Sequence, residues 1–143
     1  MVSLRNIRDT LEAIAVAHPQ INSFDMGDVF DVPGDTQLYP MLWAEPISTL
    51  MGSKKVDYSI RIFVMALTDK DGKAELDARS ETGLILNDVL ILLRRKYELV
   101  RDDFSGTAVP FIGKSADEAL GWYMDIVIDT PSILGECDVP GSI

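Results

Sequence analysis

The stretch Val56-Asp57-Tyr58-Ser59-Ile60-Arg61-Ile62-Phe63-Val64-Met65-Ala66-Leu67-Thr68 decides the fold. Val56, Tyr58, Ile60, Ile62 and Val64 alternate with Asp57, Ser59 and Arg61, the period-two pattern of a strand with one face in a core. From Phe63 onward the alternation gives way, because Phe63, Met65 and Leu67 make the second face apolar as well. The far half of this strand is therefore expected to be covered on both sides, by a second layer or by a neighbouring subunit. Gly52-Ser53-Lys54-Lys55 turns the chain into it, and Asp69-Lys70-Asp71-Gly72 breaks it.

Working outward, residues 4–17 read as a helix capped by Ser3, with Leu4, Ile7, Leu11 and Ile14 on its buried stripe and His18-Pro19 as its stop. The His18 imidazole is expected to stabilise the exposed carbonyls at that helix end. A short strand over 21–27 follows, then a loop holding Asp28, Asp31, Pro33-Gly34 and Asp35. Leu38–Glu45 reads as a second strand that Pro40 confines to an edge or a bulge.

Downstream of the central strand, a long helix is expected from Ala74 to Tyr97. Its stripe is Ala78, Ile85, Val89, Leu92 and Leu93, widened by Leu86, Leu90 and Ile91, with Arg94-Arg95-Lys96 at its negative end. Thr107–Ile112 and Leu120–Asp129 flank the 113–118 turn as a hairpin. The order α-β-β-β-α-β-β predicts an α+β fold: a mainly antiparallel five-stranded sheet with two helices on one face. Residues 1–130 form one expected domain. Residues 131–143, punctuated by Pro131, Gly135, Pro140 and Gly141, form an extended arm whose Ile133, Leu134 and Val139 need a surface to dock on.

Charge is distributed unevenly along the 143 residues, whose net charge is −10. Residues 1–53 carry two basic and seven acidic groups, residues 54–114 eleven and ten, and residues 115–143 none and six. A surface built from those acidic ends repels a phosphate backbone, which disfavours nucleic-acid binding. No run is long and apolar enough to cross a membrane. The opening Met1-Val2-Ser3-Leu4-Arg5 leads into a helical pattern without a signal-type apolar core, so the chain is expected to fold where it is made. The single cysteine, Cys137, excludes an intrachain disulfide and fits a reducing compartment.

Fragments of familiar chemistry fail on spacing. Gly113-Lys114-Ser115 ends like a phosphate-binding loop, but Ala108 stands where the opening glycine belongs and Pro110 removes an N–H from the cradle. Asp69-Lys70-Asp71-Gly72 lacks the third acid and distal glutamate of a calcium loop. Nothing brings Cys137 and His18 together as nucleophile and base. Trp43, Trp122 and Tyr123 have no interleaved basic stripe and read as core or subunit-contact residues. No catalytic residue, cofactor or metal is expected.

Leu38-Tyr39-Pro40-Met41-Leu42-Trp43, the strand end Ala66-Leu67-Thr68-Asp69, the helix segment Leu86-Asn87-Asp88-Val89, and Gly121-Trp122 leading to Cys137-Asp138-Val139-Pro140 resemble a family of tailed-phage structural proteins. They are the neck and tail-terminator ring proteins of phages and prophages of Bacteroidetes, including crAss-like phages. The resemblance implies a non-enzymatic virion subunit of a closed hexameric or dodecameric ring at the head–tail interface, beside portal, neck or tail proteins. DNA would pass through the ring without sequence-specific binding. In that frame Phe63, Met65, Leu67, Ile133, Leu134 and Val139 are the expected subunit contacts, and Asp25, Asp28, Asp31 and Asp35 the expected channel lining. The alternative is a small cytosolic enzyme or binding domain whose Asp25–Asp35 loop holds a metal or a cationic ligand.

Overall fold

The computed structural model describes residues 2–27, 39–67, 75–112 and 119–131. In chain order the elements are α1 (Leu4–Ala17), β1 (Ser23–Met26), β2 (Met41–Met51), β3 (Lys55–Leu67), α2 (Glu75–Arg95), β4 (Val109–Ile112) and β5 (Ala119–Pro131). Helix α1 starts where sequence chemistry places it. Ser3 Oγ accepts the Asn6 N–H at 3.1 Å, and Asn6 Oδ1 accepts the Ser3 N–H at 2.8 Å, satisfying two donors that the first turn leaves orphaned. Ile7, Leu11 and Ile14 are fully buried, whereas Leu4, expected on the same stripe, is 39% exposed.

The strands form one five-stranded sheet in the order β1-β2-β3-β5-β4. It is α+β as expected, but the sheet is mixed: β1 runs parallel to β2, while the other pairings are antiparallel. A tight hairpin joins only antiparallel strands, and the long connection from Gly27 to Pro40 allows the parallel return. Strand β2 also differs from expectation. Pro40 precedes it, after a cis Tyr39–Pro40 peptide, and the strand continues past Glu45 to Met51. Its bulge lies between Pro46 and Ser48. The missing N–H of Pro46 is tolerated there because β1 ends opposite Ala44, so the stretch beyond is bonded to β3 alone.

Both helices pack on one face of the sheet. Ile7, Leu11 and Ile14 of α1 and Ile85, Val89 and Leu93 of α2 share a buried cluster with Leu42, Ile60, Ile62, Val64, Ile126 and Ile128. The opposite face carries a second cluster over its upper half, built from Met41, Trp43, Phe63, Met65 and Ala119, with Phe111 and Tyr123 packed against it. Phe63 meets the edge of Phe111 at 4.9 Å between centroids and Tyr123 at 5.5 Å.

Reciprocal contacts lock α2 to the sheet at Gly121-Trp122. Trp122 Nε1 donates to Arg79 O at 2.8 Å, and Arg79 Nη1 donates back to Gly121 O at 3.2 Å. At the other end of the helix layer, His18 Nε2 lies 2.9 Å from Asp88 Oδ2 of α2, while His18 Nδ1 accepts the Gln20 N–H at 3.1 Å. With Nδ1 accepting, Nε2 is the donor to Asp88. The carbonyl-capping role expected of the imidazole falls instead to the His18 backbone N–H, which donates to Ile14 O at 2.9 Å.

Gly121 is fixed by close approach: a Cβ there would lie 1.8 Å from Val64 O of the neighbouring strand. Replacing it must push β5 off β3 or break their ladder. Gly121→Ala is expected to destabilise the chain by about 3 kcal/mol or more, read as a lower urea midpoint. An unchanged midpoint would contradict the β3–β5 register described here.

Candidate functional site

Among the described residues, the lower half of the sheet, below the Ala44–Ile62–Met124 level, contains three strands instead of five. Strand β1 pairs only with Met41–Ala44, and β4 pairs only with Leu120–Tyr123, so β2 and β5 each continue with one strand neighbour among the described residues. The outward backbone N–H and C=O groups of β2 from Pro46 to Met51 have no ladder partner among the described residues. Such an edge is a template for pairing with another chain.

Side chains make this edge suited to contact. Ile47 is half-exposed, Leu50 is 64% exposed and Met51 is 80% exposed. From Pro46 to Ser53 there is no ionisable side chain, an unusual interval in a chain of net charge −10. Charged edge residues normally guard against sheet-to-sheet association. Here the guards are Pro46 and the bulge beside it, which leaves Ser48–Met51 regular and, among the described residues, paired on one side only.

The helix-free face of the same three strands is polar and acid-rich. Arg61 Nε donates to Asp125 Oδ1 at 2.7 Å and Arg61 Nη2 to Asp125 Oδ2 at 3.2 Å, a bidentate pair across β3 and β5. The Asp125 hydrogen bonds, with the charges of Asp125 and Glu45, raise the Arg61 pKa above its ordinary value against the opposing pull of burial. The guanidinium also lies 4.6 Å from the Tyr123 ring centre. Four residues further along each strand, Asp57 faces Asp129, each neutralised by a cation: Lys55 at 3.1 Å and Arg101 at 3.5 Å.

The residues expected at a subunit contact are divided by the fold. Phe63 and Met65, each 2% exposed, are consumed by the second cluster within the chain, whereas Leu67 at the end of β3 is 51% exposed. Ile133, Leu134 and Val139 lie outside the described residues. Of the expected channel acids, Asp25 is exposed on β1 with its Oδ1 accepting the Met26 N–H at 2.8 Å. Asp28, Asp31 and Asp35 fall outside the described residues. Among those that are described, no group of three or more His, Cys, Asp or Glu side chains is placed to hold a metal ion.

The edge at Pro46–Met51 escaped the sequence reading, which ended that strand at Glu45. Proline and the loss of alternation obscured it, although Ile47, Thr49 and Leu50 are good strand formers. No protein-family model matches the chain, and no curated protein matches it.

Leu50→Lys combined with Met51→Lys is expected to leave the monomer's thermal midpoint nearly unchanged, since exposed positions change stability by about 0.5 kcal/mol or less. Any self-association that uses this edge should weaken at least about tenfold by sedimentation. Lysine is the informative choice because it lowers the net negative charge, so weaker association reports a lost contact and not added repulsion. Undiminished association would remove this edge from the interface.

Proposed function

We propose that this chain is a structural subunit that assembles with copies of itself into a ring, as a virion protein of a phage neck or tail terminator surrounding the DNA path. The observation that carries the reading is the uncharged, partly apolar edge of β2 at Pro46–Met51, which has no strand partner on its outer side among the described residues. An edge like this is costly to leave in solution and gains by continuing the sheet into a neighbour. The β5 edge beyond Tyr123, likewise without a second strand partner among the described residues, lies on the opposite side of the three-stranded half. Two different edges joining head to tail make a heterologous contact, and repeated rotation closes such contacts into a ring.

Electrostatics supports the same reading. The helix-free face of the lower sheet carries Glu45, Asp125 and Asp129 with a buried Asp57, and Arg61, Arg101 and Lys55 pair with Asp125, Asp129 and Asp57. Turned toward a central path, cations already held by carboxylates offer few fixed contacts to a phosphate backbone. Asp25, with Asp28, Asp31 and Asp35, adds to the acidic total in the proposed channel. The arm of residues 131–143 is proposed to dock on an adjacent subunit, and portal, neck or tail proteins are the proposed neighbours along the axis. The resemblance to ring proteins of Bacteroidetes phages supplies the biological setting. The metal- or ligand-binding alternative rests on the Asp25–Asp35 loop, of which only Asp25 falls among the described residues.

Native mass measurement and cross-linking of the full chain at high concentration should give closed hexamers or dodecamers. A protein that stays monomeric at every concentration, and that also fails to bind any phage neck component, would overturn the assignment.

A further inference from the structure

The chain has one histidine, His18, and it stands where α1 ends, α2 passes and the chain turns toward the sheet. Its side chain is only 8% exposed. Both ring nitrogens are engaged: Nε2 with Asp88 Oδ2 at 2.9 Å, and Nδ1 with the Gln20 N–H at 3.1 Å. Among the described residues, the titratable groups beside the ring are Asp88 and Lys96 on the α2 side and Tyr97 just beyond them, while α1 contributes Ile14 and Ala17. The Lys96 ammonium rests 5.5 Å from the Tyr97 ring centre. The turn from α1 into β1 is held at three successive amides. Gln20 N–H goes to the imidazole, Ile21 N–H to His18 O at 3.3 Å, and Asn22 N–H to Pro40 O at 2.8 Å.

A neutral imidazole offers one donor and one acceptor, and this site uses each once. A second proton has a single place to go, Nδ1, where it meets the Gln20 N–H with no acceptor between the two donors. The same proton makes the ring cationic, so the hydrogen bond from Nε2 to the Asp88 carboxylate becomes charge-assisted at both ends and stronger. We propose that His18 is a proton-operated latch: neutral, it holds the head of the α1–β1 turn; protonated, it releases the Gln20 amide and tightens the tie between α1 and α2. Ile21 and Asn22 bond to carbonyls that do not titrate, so the release is confined to the residues between His18 and Ile21. The two changes oppose each other in global stability, and the latch is therefore read locally. It does not depend on the assembly reading.

With a single histidine, the ring resonances of the nitrogen-15-labelled full chain are unambiguous. The sample is titrated from about pH 8 to about pH 5. At the high-pH end the ring should report the tautomer with its proton on Nε2. As the second proton binds, the Gln20 amide resonance should move with the ring's own midpoint. Its exchange rate, corrected for the intrinsic pH dependence, should rise about fivefold or more, while the Ile21 and Asn22 amides change little. In His18→Asn, whose side chain takes up no proton in this range, the Gln20 amide should stay still. A ring protonated on Nδ1 at the high-pH end, a ring that never takes up its second proton, or a Gln20 amide that ignores the titration would each overturn the latch. So would a Gln20 response that persists in His18→Asn.

Discussion

The register of β3 is the constraint on which the rest of the structure depends. It is paired along its length by β5 and nearly so by β2, and its two faces have different duties. Ile60, Ile62 and Val64 meet the helices, while Phe63 and Met65 build the second cluster and Arg61 meets Asp125. A slip of one residue would exchange those faces and bury Arg61 against α1 and α2. Gly121 and Trp122 guard against the slip. Only a residue without a Cβ fits beside Val64 O, and only there does the indole reach Arg79 O.

Much of this was legible in the sequence because it follows from short-range chemistry. The Ser3 cap, the period-two pattern of β3, the long helix and the final hairpin all depend on residues close together in the chain. The parallel placement of β1 was not legible, since strand direction is set by a long connection whose path no local pattern encodes. Phe63 and Met65 show a different limit. Their position on a second apolar face was readable, but an apolar face can be covered by the same chain or by another, and periodicity is silent on which. The structure assigns them to the chain's own interior, with Met41 and Trp43.

Exchanging that face for the lower edge moves the proposed assembly contact. The upper half of the sheet satisfies itself with five strands and a cluster on each face. Among the described residues the lower half keeps three strands, an edge without charge that is paired on one side only, and a polar face of paired ions. Association through that edge would cost little desolvation of charge and would add backbone hydrogen bonds that the described residues do not make among themselves.

Hydrogen exchange followed across concentration tests the central claim most directly, because it reads the edge amides themselves. In the dilute monomer, outward-facing amides between Ser48 and Met51 should exchange as fast as those of open loops, while their inward-facing neighbours, bonded to β3, are protected. On assembly those outward amides should gain protection of about a hundredfold or more, as expected when a ladder closes over them. Oligomers in which they still exchange at the monomer's rate would contradict the account.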